Sequence, residues 1–125
     1  MRRGEQVPKS IWANKASDCH GASGGLAGYA CYGASPATQG SFDLYWIVVD
    51  PRQQGLGLGR QLLQRVEQAV LKSGGCALWV DTSSTHKFAP TRAFYRKTGF
   101  RKSAQLKDFY RPGDSKVILV KNLGK

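Results

Sequence analysis

The chain lacks any apolar run approaching the ~20 residues that a membrane-spanning helix requires, so no membrane span is expected. Met1-Arg-Arg opens like a secretory leader, but Gly4-Glu-Gln-Val-Pro-Lys-Ser10 supplies no hydrophobic stretch behind it, and a cytoplasmic protein is the expectation. Cysteine is scarce. Cys19, Cys31 and Cys76 are odd in number and carry no C-x-x-C or Cys/His ligand spacing, which excludes a disulfide framework and gives no metal site. Cys31 and Cys76 sit in apolar, strand-like segments and read as small buried residues, and His20 and His86 are isolated in loops. Acid is scarce too: 8 Asp and Glu against 19 Lys and Arg leave a formal charge of +11. A solvated basic surface is the first reading of that excess, an acidic or nucleic-acid partner the second, and steering of an anionic ligand the third. What is present in ordinary measure is apolar residue, 41% of the 125, enough for one folded domain.

The strongest local pattern is Leu44-Tyr-Trp-Ile-Val-Val-Asp-Pro-Arg-Gln-Gln-Gly-Leu-Gly-Leu-Gly-Arg60, an apolar strand that breaks into three alternating glycines and then a helix. A helix leaves its first backbone N–H groups unpaired and carries partial positive charge at that end, so a bare backbone loop there suits a phosphate. Gly55, Gly57 and Gly59 remove the side chains that would hold a pyrophosphate away. The string is neither a P-loop, which needs Gly-Lys-Ser/Thr, nor a dinucleotide fingerprint, because Arg60 stands where G-x-G-x-x-G begun at Gly55 needs its last glycine.

The pattern it does satisfy is Q/R-x-x-G-x-G/A, by Gln54, Gly57 and Gly59 and again by Arg52, Gly55 and Gly57. This resembles the acetyl-CoA-binding loop of the GNAT N-acetyltransferases. A second segment, Ala89-Pro-Thr-Arg-Ala-Phe-Tyr-Arg-Lys-Thr-Gly-Phe100, is similar to that family's A-x-x-F-Y-x-K-x-G-F helix and turn, although Phe88 and Thr91 stand where many members carry Asn and Ala. The resemblance runs from about Gly25 to Leu123. It implies acetyl-CoA as co-substrate, Tyr95 as general acid toward the departing thiol, and backbone groups of Ile47, Val48 and Val49 along the pantetheine arm. It also places the loop Gln54, Gly55, Leu56, Gly57, Leu58, Gly59 and Arg60, with Arg52 and Arg65 nearby, against the CoA phosphates. A phenol with an ordinary pKa near 10 is chemically apt, since it stays protonated at neutral pH yet can give its proton to a thiolate.

Coarse patterning agrees with an α/β, GNAT-like acyltransferase fold: a mixed central sheet with two main helices. Residues 1–25 are poorly patterned, with Ser10–Asn14 a possible edge strand, and residues 26–125 form the domain. Strands are expected over Leu26–Ala34, Phe42–Val49, Cys76–Thr82, Phe100–Leu106 and Lys116–Asn122, with helices from about Gly59 to Ser73 and from Pro90 to Gly99. Trp46 and Trp79 read as core. A full domain of the resembled family begins with a strand and two helices, which residues 1–25 cannot supply. The chain thus looks N-terminally short: a second subunit of a homodimer supplies the wall, or the site is open, or the chain is a fragment.

An amine with pKa near 10 is only about 0.1% neutral at pH 7, so a base or water chain must take its proton. Asp43 and Asp81, on strands expected to converge on the cleft, are the candidate bases, each with a structural reading beside it. Tyr45, Asp108 and Tyr110 are candidates for acceptor recognition. The expected function is transfer of an acetyl group to an amine of a small molecule or peptide. The alternative is a non-catalytic module of the same fold that binds CoA or an acidic partner such as RNA.

Overall fold

The computed structural model describes residues 9–14, 26–53 and 57–124. Six strands, β1 (Lys9–Asn14), β2 (Leu26–Ala34), β3 (Ser41–Val49), β4 (Ala77–Ser83), β5 (Arg101–Arg111) and β6 (Asp114–Asn122), form one sheet in the order β1-β2-β3-β4-β6-β5. Helix α1 (Leu58–Lys72) links β3 to β4, and α2 (Ala89–Lys97) links β4 to β5. The β3–α1–β4 unit makes β3 and β4 the one parallel pair among the described strands; the others are antiparallel. The possible edge strand at Ser10–Asn14 is β1, paired with β2 through Lys9↔Tyr32 to Asn14↔Leu26.

Helix α1 forms because Leu62, Leu63, Val66 and Val70 recur at helical spacing, and all four are buried. They meet Ala30, Tyr32, Leu44, Leu78 and Val80 from the sheet, and Tyr95, Phe100, Val117 and Leu119 complete the core. Gly74 at φ +87° ends the helix, and buried Gly75 lets Val70 and the Phe42 ring close over the turn. Helix α2 carries Pro90 in its first turn. It stops at Gly99, φ +106°, where the Thr98 hydroxyl donates to the carbonyls of Phe94 and Tyr95 at 3.0 Å each.

Two irregularities shape the site. β3 pairs with β4 only over Ser41–Asp43 with Ala77–Trp79, while β2 follows β3 to Val49 and β6 follows β4 to Ser83. The two parallel strands part after Asp43, and a cleft opens between them. Tyr45 is the extra residue of a bulge, since Cys31 faces Trp46 and Tyr32 faces Leu44. Simple alternation is lost there, which corrects the expectation of a core Trp46: Tyr45 and Trp46 are both exposed, at 39% and 48%. Cys31 is buried as expected, but Cys76 falls just before β4 and is exposed. The β5–β6 hairpin is longer than expected, with its ends at Arg111↔Asp114 around a Pro112-Gly113 turn.

Candidate active site

The cleft between the parted strands has two halves. The first, about 680 Å³, is lined by Ile47 and Val49 of β3, Gly57, Leu58, Gly59 and Arg60 at the start of α1, and Pro90, Thr91, Phe94, Tyr95 and Lys97 of α2. The second, about 480 Å³, runs from Tyr45, Trp46 and Ile47 across Val80–Ser83 to Phe88, Thr91 and Tyr95, and ends at Tyr110, Arg111 and Asp114. Ile47, Thr91 and Tyr95 border both, so the halves meet at these three residues.

The first half is built for an anion. No side chain caps α1, its first turn carries no acid, and its bonding begins with the Gln61 N–H donating to the Gly57 carbonyl at 3.0 Å. The N–H groups of Leu58, Gly59 and Arg60 thus face the cleft mouth without an intrahelical acceptor. Gly57 takes φ +80° with open space where a Cβ would stand. At Gly59 an added Cβ would lie 3.4 Å from the Phe94 ring, so glycine lets the start of α1 approach α2. Arg60 and Lys97 are exposed cations on opposite helices, and neither has a carboxylate partner among the described residues. Arg52 is turned elsewhere: its N–H and guanidinium engage Asp50 at 2.9 and 3.4 Å, and it does not line the cleft. Gln54, Gly55 and Leu56 lie outside the described residues.

Tyr95 sits where the halves meet, 5% exposed, with its ring edge-on to Phe94 at 5.3 Å and Phe100 at 5.2 Å. Burial penalises the phenolate and pushes its pKa up to about 12, so the hydroxyl holds its proton. Across the sheet, burial and then the neighbouring Asp43 and Cys31 also raise the Tyr45 phenol, whose ring lies over Gly33.

The other sequence candidates divide. Ile47 and Val49 line the cleft, whereas Val48 between them points out, 42% exposed. Asp81 lines the second half and is ion-paired with Lys116 at 3.3 Å. Asp43 lies where β3 and β4 still pair, opposite Trp79, and borders neither half. Tyr110 lines the second half, but Asp108 does not. The Asp108 carboxylate accepts the Gly113 N–H at 2.8 Å, and its own N–H donates to Ser115 Oγ at 3.1 Å, at φ +55°. It holds the hairpin, where Lys107–Tyr110 loop out of register and carry Phe109 and Tyr110 into the open. Sequence reading missed Trp46, Phe88, Thr91, Lys97, Arg111 and Asp114. The signal for Thr91 and Lys97 was their position beside Tyr95 on α2. Asp114 was hidden because its role comes from folding, which brings it to Ser83, whose hydroxyl donates to it, and to Arg111 at 4.0 Å.

Comparison with known proteins shows the family and the fold. Residues 11–102 match the family described as the acetyltransferase (GNAT) domain. A GNAT-family protein of known structure from Desulfovibrio desulfuricans is 45% identical, with a TM-score of 0.85 over 94% of this chain and 70% of that one. The ribosomal protein bS18-alanine N-acetyltransferase of Escherichia coli K12 is 32% identical over 73 residues, 58% of this chain, and the chain spans 48% of that enzyme. An acetyltransferase from Bacillus anthracis, solved with acetyl coenzyme A, shares the fold at TM-score 0.71 and 16% identity, over 79% of this chain and 57% of that one.

Proposed function

As the chain belongs to the GNAT acetyltransferase family, we propose that it moves the acetyl group of acetyl-CoA to an amine, with the donor in the half of the cleft at α1 and the acceptor in the half at Asp81. The observation that carries this reading is Tyr95, a buried, protonated phenol on the border of both halves. The donor half fits acetyl-CoA: unpaired N–H groups at Leu58–Arg60, the open left-handed Gly57 and the free cations Arg60 and Lys97 suit its phosphates. The edge of β3 at Ile47, past its last pairing with β4 at Asp43, suits its amide-bearing arm.

Acetyl-CoA supplies an acyl group already activated as a thioester. This chain's residues hold the two reactants. Ile47 and Thr91 bound the passage between the halves, and confining an amine there replaces a bimolecular encounter, which is worth several kcal/mol of barrier in well-oriented cases (~7–11 at most). As the nitrogen–carbon bond forms and the carbon–sulfur bond breaks, the sulfur needs a proton, and Tyr95 Oη carries one. The amine gives up its own proton to water in the open acceptor half. Of the candidate bases Asp81 borders the cleft but is paired with Lys116, and Asp43 lies toward the closed end of the sheet, so neither is assigned the role. Asp108 is assigned to the hairpin, and Tyr45 and Tyr110 to the acceptor wall.

The test is calorimetric titration of acetyl-CoA into the chain and into Gly57→Glu, followed by an amine screen reading thiol release. Micromolar binding that the variant loses, with thiol release on adding an amine, is expected. Binding without release for every amine points to a non-catalytic module, and no binding by the folded chain removes the reading.

A further inference from the structure

The acceptor half has a composition at odds with the molecule. In a chain of charge +11 its walls hold two carboxylates, Asp81 and Asp114. Four of the chain's exposed large apolar residues, Tyr45, Trp46, Phe88 and Tyr110, are gathered there, and all four are aromatic. Carboxylates among aromatic faces are the chemistry of cation recognition, through charge and through the ring quadrupole.

The molecule already places a cation in this setting. Lys116 Nζ stands 3.3 Å from Asp81 Oδ2 and 4.6 Å over the centre of the Phe109 ring. Phe109 is edge-on to Tyr110 at 5.1 Å, so the seat is continuous with the cleft wall. Asp81 remains 48% exposed in its side chain, open to a second cation from the cleft. Asp81 and Tyr110 border the acceptor half and not the donor half, so they stand outside the Ile47–Thr91–Tyr95 junction, the place of the proposed transfer. A carboxylate gripping the reacting nitrogen would keep it as an ammonium with no lone pair. One outside the junction is suited to a different positive centre.

We propose that the acceptor is an amine bearing a second cationic centre, and that Asp81 takes this centre in exchange for Lys116, with Tyr110 and Trp46 as the aromatic walls. Lys116 is then an internal competitor that keeps the seat closed to monocations. Arg111, 76% exposed and 4.0 Å from Asp114, holds too loosely to oppose the exchange. The proposal rests on the acyl-transfer reading for its location but not for its test.

The test is calorimetry at low salt on the chain saturated with CoA, comparing pentane-1,5-diamine with pentylamine. The diamine is expected to bind up to about fivefold more tightly, the scale of one partly exposed ion pair. Lys116→Met should tighten the diamine severalfold and open the seat to pentylamine as well. The double variant Asp81→Asn, Lys116→Met avoids a stranded charge and should abolish the preference. Equal binding of the two amines, no diamine binding at millimolar concentration, or a preference that survives in the double variant overturns the proposal. Diamine preference without thiol release from acetyl-CoA would remove the catalytic reading while upholding the cation seat. Release without preference would do the reverse.

Discussion

At the scale of the residue, Tyr95 was legible because its neighbours in sequence are also its neighbours in space: Phe94 and Phe100 clasp the ring from the same helix and turn. Trp46 was misplaced by a bulge, whereas Asp43 stands apart from the cleft because β3 and β4 still pair there. Alternation along β3 is interrupted by the Tyr45 bulge, and a bulge is set by pairing with a distant strand, which no local string of letters announces. The chemistry at Tyr95 separates from its packing. Tyr95→Phe keeps the ring contacts, so near-neutral stability should change little, while loss of the acid should lower kcat about a hundredfold or more with the KM for acetyl-CoA held. The titration has a sign that can be checked as well. Native Tyr95 binds its proton more tightly than the unfolded chain does, so between about pH 10 and about pH 12 unfolding releases a proton and stability falls as pH rises. The loss is of order 2–3 kcal/mol at most. Alkaline unfolding followed by fluorescence should therefore begin at higher pH in Tyr95→Phe than in the parent chain.

At the scale of the element, strongly patterned pieces were readable and their ends were less so. The α1 stripe of Leu62, Leu63, Val66 and Val70 gave helix, face and burial together. The hairpin was underestimated because Lys107–Tyr110 is polar and aromatic without period, and its shape depends on Ser115 and Gly113 bonding to Asp108 across the turn. Glycine at a helix exit is a common signal, but its two members here carry different burdens. Gly74 needs a left-handed backbone, with nothing within 4 Å of where a Cβ would stand. At Gly75 an added Cβ would lie 2.4 Å from Val70 and 2.7 Å from Phe42. Gly75→Ala must therefore push α1 away from the start of β4, as an overpacked core does, at about 1–3 kcal/mol. A lowered denaturant midpoint at unchanged slope is the expected result, and an unchanged midpoint would show that Phe42 swings aside freely.

At the scale of the whole molecule, the cleft exists because two parallel strands hold together for three residues and then part, a fact about registers between distant segments rather than about any segment. The net charge was legible, its distribution was not. Among the described residues Asp50, Glu67, Asp81 and Asp114 are each committed to a cation: Arg52, Lys121, Lys116 and Arg111. Arg60 and Lys97 at the donor half are left without one, as are Lys72, Lys87 and Arg101 elsewhere on the surface, so these two add a local positive field where the proposed phosphate-bearing ligand is to enter. Steering of this kind acts on encounter more than on residence, and it is screened over about 10 Å at 0.1 M salt. Stopped-flow association of CoA should therefore slow by about tenfold or more as ionic strength rises from millimolar to physiological, with dissociation far less affected. Replacing Lys97 by Met should flatten that dependence, and replacing the distant, exposed Lys9 should not. An equal response to both substitutions would mean that the charge acts as a diffuse cloud, and would return the basic surplus to the role of keeping the molecule in solution.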